Sequence, residues 1–334
     1  MTLGLKEMWR KRGQYGLILL ITLAIVLLTT LITGLADGLA YDNGASVREL
    51  DIDTFQLTDD ADGQLTRSFI EETPIDAVTP LAVKPLTFVN GTKQDATLFA
   101  LPTDSTIGPT LDLSVGEVLV DPSFLQTYAV GDTVEDFVSG YRFTIIGVTD
   151  GRFSHGPVVW TTMETWDAYQ QTAGGPTYVS AWLGDEVTSL TRHSKQDIIE
   201  SVPGYSAAQG TFDMMRAFLL IIGAFILTAF FYMVTLQKLP QLGILKAIGI
   251  RSRTIGAALV WQVLVTVVAA STIAMLVTLL MTRVVPEAVP FQFEWSNVAF
   301  YSTLFLIISL LGTVLPLQTL RRLDAADTLG GRIK

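Results

Sequence analysis

Residues 13–36 read GQYGLILLITLAIVLLTTLITGLA, an unbroken run without Asp, Glu, Lys or Arg. A bilayer core takes about 20 consecutive apolar residues in helical form, and in lipid only a helix or a closed barrel satisfies every backbone group. The run is rich in Leu and Ile and lacks the polar alternation of a barrel strand, so it predicts a spanning helix. Three more runs of the same kind follow at 217–237, 254–282 and 295–320. The chain is therefore expected to cross a membrane four times. Its composition agrees: 49% of the 334 residues are hydrophobic and 16% charged, too little charge to coat an ordinary soluble surface. The first run outlasts the roughly 7–15 apolar residues of a secretory signal and ends without an A-x-A site, so it is read as retained.

Basic residues set the expected orientation. Lys6, Arg10, Lys11 and Arg12 precede the first run, Lys238, Lys246, Arg251 and Arg253 lie between the second and third, and Arg321, Arg322, Arg332 and Lys334 follow the fourth. All three segments fall on one side, which the positive-inside rule makes cytoplasmic. Only Glu7, Asp324 and Asp327 oppose them there, although the chain as a whole carries a net charge of −10. The acidity is thus concentrated outside, where it reads as a solubilising surface. Both termini are expected inside, in a multi-pass protein of the cell membrane.

The expected layout is an N-terminal segment with helix 1 (1–36), an extracytoplasmic domain (37–213), helix 2 (214–237), a cytoplasmic loop (238–253), helix 3 (254–282), an outer loop (283–294), helix 4 (295–320) and a cytoplasmic tail (321–334). The fold class is a membrane protein of four transmembrane α-helices plus a mixed α/β extracytoplasmic domain inserted between helices 1 and 2. Within that domain, β-branched or alternating runs predict strands at 77–89, 96–101, 117–120, 141–148, 157–161 and 178–183, and apolar spacings of three and four predict helices at 47–55, 163–171 and 190–202. Small residues at Gly16, Gly34, Gly38 and Gly223 suit close helix packing in lipid.

Catalytic chemistry finds no footing. The chain has no cysteine and two histidines, His155 and His193, which cannot build a cage that wants three or four converging ligands. Ser154 beside His155 is not a nucleophile elbow and reads as a loop; His193 is placed on a polar helix. No catalytic residue, no metal site, no nucleic-acid partner and no permanently bound cofactor is expected. No G-x-x-x-x-G-K-[ST] loop occurs either, so any ATP hydrolysis belongs to a separate subunit.

The loop between helices 2 and 3 reads Gln237-Lys-Leu-Pro-Gln-Leu-Gly-Ile-Leu-Lys-Ala-Ile-Gly249-Ile-Arg251. Pro240 is expected to end or kink the preceding helix; after it Leu242, Leu245 and Ile248 recur at three, making a short helix with an apolar stripe and Lys246 and Arg251 around it. Gly249 suits its stop. By itself such a helix fits either the lipid headgroups or a cytoplasmic partner. Gly243-Ile-Leu-Lys-Ala-Ile-Gly249 resembles the core of the coupling-helix motif of MacB/FtsX-type ABC transporter permeases, with Lys238 and Gln241 where that family has Arg and Glu. The segment is most similar to the haem-exporting, HrtB-type subset. Arg322-Leu-Asp-Ala-Ala-Asp-Thr-Leu329 resembles the family's closing R-x-x-P-A-x-x-L without its proline, and Val130-Gly-Asp-Thr-Val134 with Phe143–Val148 resembles its MacB-like periplasmic core.

The resemblance implies an efflux permease working as a homodimer with a separate ABC ATPase subunit, which would dock on Pro240, Leu242, Gly243, Leu245, Lys246, Ile248, Gly249 and Arg251. For haem as transported substrate, the chemistry wants an apolar slot, an axial ligand and a cation for propionates. Phe212, Met214, Met215 and Arg216 at the outer start of helix 2, with Asp37 and Tyr41 after helix 1, are the candidates; the methionines equally suit ordinary packing. Export of a peptide, antibiotic or lipid, and an FtsX-like transmitter that activates an extracytoplasmic partner, are the alternatives.

Overall fold

The computed structural model describes residues 8–71, 78–185, 189–248, 250, 252–285 and 289–322. The chain divides into two compact units, one formed by Gly38–Gly210 and the other by Met1–Asp37 with Thr211–Lys334. Six helices and ten strands are described: α1 (Arg12–Arg48), β1 (Thr54–Leu57), β2 (Thr79–Asn90), β3 (Thr92–Leu101), β4 (Glu117–Val120), β5 (Thr133–Asp136), β6 (Arg142–Val148), β7 (Arg152–Phe153), β8 (Gly156–Thr162), α2 (Met163–Ala173), β9 (Ala181–Leu183), β10 (Thr191–Ser194), α3 (Lys195–Ser201), α4 (Tyr205–Ala247), α5 (Ser252–Val284) and α6 (Trp295–Arg322).

Four of the helices are long and apolar enough to cross a membrane, over Arg12–Arg48, Tyr205–Lys238, Gly256–Val284 and Trp295–Thr313. They pack around Ile18, Val26, Leu227, Phe231, Val263, Val267, Ala274 and Phe305. Several threonine hydroxyls along the spans return their protons to the preceding turn, as Thr22 does to the Ile18 carbonyl at 2.8 Å and Thr266 to that of Gln262 at 2.8 Å, which satisfies these groups without water. Where helices come closest a side chain does not fit: a Cβ on Gly223 would stand 2.8 Å from Ile25 and 2.9 Å from Phe305. Gly34 is likewise covered, by Phe291 and the Gln292 carbonyl, whereas Gly16 faces open space.

In the other unit, β2, β3, β8, β4, β6 and β5 pair in that order, and β5 returns to β2, closing a six-stranded ring. Most neighbours are antiparallel; β3 with β8 and β4 with β6 run parallel. On the far side β9, β1 and β10 extend the sheet from β2. Strand side chains alternate between faces, and the two faces own separate cores. Ala82, Leu86 and Phe88 of β2 join Leu98, Val159, Phe143, Trp166 and Tyr169 on one face; Leu81 and Val83 join Phe99, Trp160, Val47, Leu50 and Ile199 on the other. The end of α1 and α3 cover this second face. A Cβ on Gly44 would lie 2.8 Å from Ile199, and at Gly44 the backbone leaves helical geometry (φ −135°, ψ 18°), so α1 bends at the one residue without a side chain to obstruct the contact.

Several local expectations give way to long-range pairing. The helix expected at 47–55 is instead the last residues of α1, a break, and the start of β1, because Phe55 and Gln56 hydrogen-bond between β9 and β10. That at 190–202 splits: Thr191–Ser194 pair with β1 as β10, and Ser194 then caps α3 through a reciprocal bond with Asp197. His193 is therefore a strand residue opposite Phe55, not a helical one. Ser154 and His155 form the two-residue turn joining β7 to β8, both at positive φ (50° and 62°), as a type I′ hairpin requires. Pro240 does not end the helix before it: α4 continues through it to Ala247. A proline removes one backbone donor, which a long apolar helix tolerates.

Candidate functional site

One end of the helical unit is built on a charged cluster between spans. Arg216 of α4 reaches Asp37 of α1 with Nη2 at 2.7 Å from Oδ1, while its Nη1 meets Asp213 at 3.1 Å. The other oxygen of Asp37 accepts from Asn297 of α6 at 2.6 Å, and Asn297 also touches Glu294 at 3.4 Å. The Gln292 amide donates to the Gly34 carbonyl at 2.9 Å, so the segment before α6 is laid onto α1. Asp37 and Arg216, proposed for haem on sequence, are thus brought together, but as each other's partner.

The two arms of that arginine differ. The Arg216 and Asp37 side chains are 17% and 23% exposed, whereas Asp213 is 69% exposed. A solvated ion pair is worth little, so Nη1 is the exchangeable donor and Nη2 the fixed one. Next to it Met214 and Met215 are exposed, at the head of an apolar face that continues through Phe218, Ile221, Ile222 and Phe225. Phe212 is half-buried. Tyr41 lies in the other unit, where its hydroxyl donates to Glu49 at 3.2 Å. The cluster also holds Glu294, which by sequence is a turn residue, and Asn297, which sequence reading passed over: nothing in a helix start spelled Trp295-Ser-Asn marks the asparagine as a partner of a residue 260 positions away.

At the opposite end of α4, Pro240 and Ile244 are exposed, Gly243 is buried and Ile248, just past the helix, is 70% exposed. Leu242, Leu245 and Lys246 lie within α4. Gly249 and Arg251 lie outside the described residues. Among the described residues no cluster of three or more potential metal ligands occurs.

A second concavity, of about 600 Å³, lies in the other unit beside β2. β2 pairs with β9 over residues 79–81 and with β5 over 88–89, and between those contacts the edge is open, with Ser180 Oγ standing in as partner for the Val83 amide at 2.9 Å. Lys84 sits there, 4.9 Å above the Tyr169 ring. Burial lowers the Lys84 ammonium from its ordinary value against the pull of Asp136, and burial followed by the Asp136 charge raises the Tyr169 hydroxyl. No sign of it is legible in the sequence, because the gap is made by where β5 ends, at Asp136, and β9 begins, at Ala181.

Comparison with known proteins bears on the whole chain. Residues 214–325 match the family described as FtsX-like permease C-terminal. The chain is 26% identical over 354 residues, 99% of each chain, to a protein of Staphylococcus haemolyticus described as "Putative hemin transport system permease protein HrtB". It is 26% identical over 356 residues, again 99% of each, to the protein of the same description in Staphylococcus epidermidis. An uncharacterized ABC transporter permease of Mycobacterium tuberculosis is 25% identical over 354 residues, 97% of each. Among solved structures, the extracellular domain of the noncanonic ABC-type transporter YknZ from Gram-positive bacteria matches 41% of this chain and 84% of its own at 16% identity, with a TM-score of 0.28.

Proposed function

We propose that this chain, which carries an FtsX-like permease domain, is the membrane subunit of an ATP-driven exporter of haem, acting as a homodimer with a separate ABC ATPase. Likeness along the full length to the staphylococcal hemin permeases is the observation that carries the reading. The four apolar helices supply the spans, and the basic residues flanking them support a topology with both termini and the segment after Lys238 on the cytoplasmic side. No phosphate-binding loop occurs in the chain, so the energy comes from the partner.

In this reading haem enters from the membrane against the exposed face that begins at Met214 and Met215. One of those thioethers serves as axial ligand, Phe212 contributes apolar wall, and a propionate takes Arg216 Nη1 in place of the solvated Asp213 while Asp37 keeps Nη2 in position. The far end of α4 from Pro240 through Lys246, with Ile248, Gly249 and Arg251 after it in the sequence, docks the ATPase. The ATPase biases the permease by binding its two states unequally, and the coupling is reciprocal.

The test is purification of the chain with its cognate ATPase, followed by titration with haemin read by absorbance and by ATP turnover. The expected result is a saturable spectral change and stimulated hydrolysis, both weakened in Met214→Ala/Met215→Ala. A complex that hydrolyses ATP but neither binds haemin nor responds to it sinks haem as cargo; binding of a cell-wall hydrolase by the outer unit instead would favour a signal transmitter.

A further inference from the structure

One level above Pro240 on α4, three spans are tied together by polar side chains buried in the bundle. The Lys238 ammonium donates to Gln262 Oε1 of α5 at 2.6 Å and to the Tyr15 hydroxyl of α1, and it lies 5.1 Å from the Tyr15 ring centroid. The Tyr15 hydroxyl in turn donates to Gln262 Oε1 at 2.8 Å. One residue earlier on both helices, Gln14 Nε2 donates to Gln237 Oε1 at 3.0 Å. Lys238 is 2% exposed, Gln262 4% and Tyr15 7%, with Ile18, Phe231, Val234, Leu259 and Val263 packed around them.

The placement is mechanical in its consequences. Pro240 lacks the amide that would continue the hydrogen-bond ladder of α4, so a long helix is most easily bent there. A push on the segment beyond Pro240 would be dissipated as bending unless the helix just before it were braced. The brace is present, and it is made of bonds that cannot be exchanged for water: a lysine withdrawn from solvent must keep its acceptors or carry an uncompensated charge in an apolar bundle. In low dielectric those bonds are also stronger than at a surface. Hydrophobic contacts at the same level would allow sliding; directed hydrogen bonds to two other helices hold α1 and α5 to the motion of α4.

We propose that Lys238, through Tyr15 and Gln262, is the link that passes displacement of the segment after Pro240 to α1 and α5. It is a positioning residue, and its role rests on the ATP-driven reading above. The chain has no cysteine, so a single Leu28→Cys on α1, at a residue 48% exposed, can carry a bimane label that reports the movement of α1 without reference to any cargo.

In the complex with the ATPase, ATP is expected to shift the bimane emission when Lys238 is intact. Adding Lys238→Met or Tyr15→Phe should cut that shift by at least about five-fold while ATP turnover stays within about two-fold. An undiminished shift in both variants overturns the link and leaves the exporter reading standing. No shift in the otherwise intact chain, despite turnover by the bound ATPase, overturns the exporter reading and the link with it. Tyr15→Phe keeps the ring and removes one oxygen, so it decides by the same criteria should Lys238→Met not accumulate. Failure of both to fold would make the cluster a folding determinant and overturn its role in transmission.

Discussion

Replacing Asp37 by Asn tests whether Arg216 is held as the structure shows. Breaking a fully buried ion pair by removing one partner costs about 3–5 kcal/mol, and an exposed pair contributes about 0–1 kcal/mol. The Asp37 and Arg216 side chains are 23% and 17% exposed at a separation of 2.7 Å, nearer the buried limit, so Asp37→Asn should cost about 2–3 kcal/mol. Asp213, 69% exposed at 3.1 Å from the same guanidinium, should cost less than about 1 kcal/mol on Asp213→Asn. Denaturant titration of the full chain in mixed micelles measures both, and a double-mutant cycle of Asp37→Asn with Arg216→Gln should return a coupling of about 2 kcal/mol. The functional counterpart is opposite in rank: Asp213→Asn frees Nη1 and should tighten haemin binding about two- to five-fold, the equivalent of the lost surface pair. Asp37→Asn should not tighten it. A coupling within about 0.5 kcal/mol of zero, or equal costs at Asp37 and Asp213, would refute the distinction between a fixed and an exchangeable arm.

Three further outcomes are expected. Gly223→Leu forces a branched side chain into space where even a Cβ stands 2.8 Å from Ile25 and should lower stability by about 1–3 kcal/mol, seen as loss of monodisperse protein on size exclusion, whereas Gly16→Ala, with nothing near it, should behave as the parent. His155→Gly relieves a side chain held at positive φ in the β7–β8 turn and should raise stability by up to about 1–2 kcal/mol in the same titration, with haemin response unchanged. Bonds from the Ser194 side chain and then its backbone amide lower the Asp197 carboxyl below its ordinary value. A lowered carboxyl contributes stability that is fully present above the unfolded value of about 4 and is lost as pH falls through the folded one. Asp197→Asn should therefore lower the melting temperature at pH 7, and the difference from the parent should vanish in acid.

The Arg216 cluster also shows how far residue type carries. Arginine, aspartate and methionine at the starts and ends of spans could be nominated from the sequence because each has one evident chemistry. That Arg216 is already occupied, and by which acid on which arm, depended on α1 and α4 lying side by side and on Asn297 arriving from α6.

Spans were legible because lipid allows so few solutions: a run such as 13–36, with no charged side chain and no alternation, has only the helix open to it. The strands of the β2–β3 hairpin and the helix beginning at Met163 were legible for a similar reason, each being long enough for its period to be read. β1 and β10 were not, because their residues overlap the stretches at 47–55 and 190–202 whose apolar spacing of three and four reads as helix, and their pairing comes from partners more than a hundred positions away. The return of β5 to β2 that closes the ring, the open edge beside Lys84, and the union of Tyr15, Lys238 and Gln262 likewise exist only once distant segments meet. Local sequence sets what each segment can be when solvent or lipid removes the alternatives; which segments touch is decided by packing the whole chain, and the polar contacts inside this bundle are products of that packing.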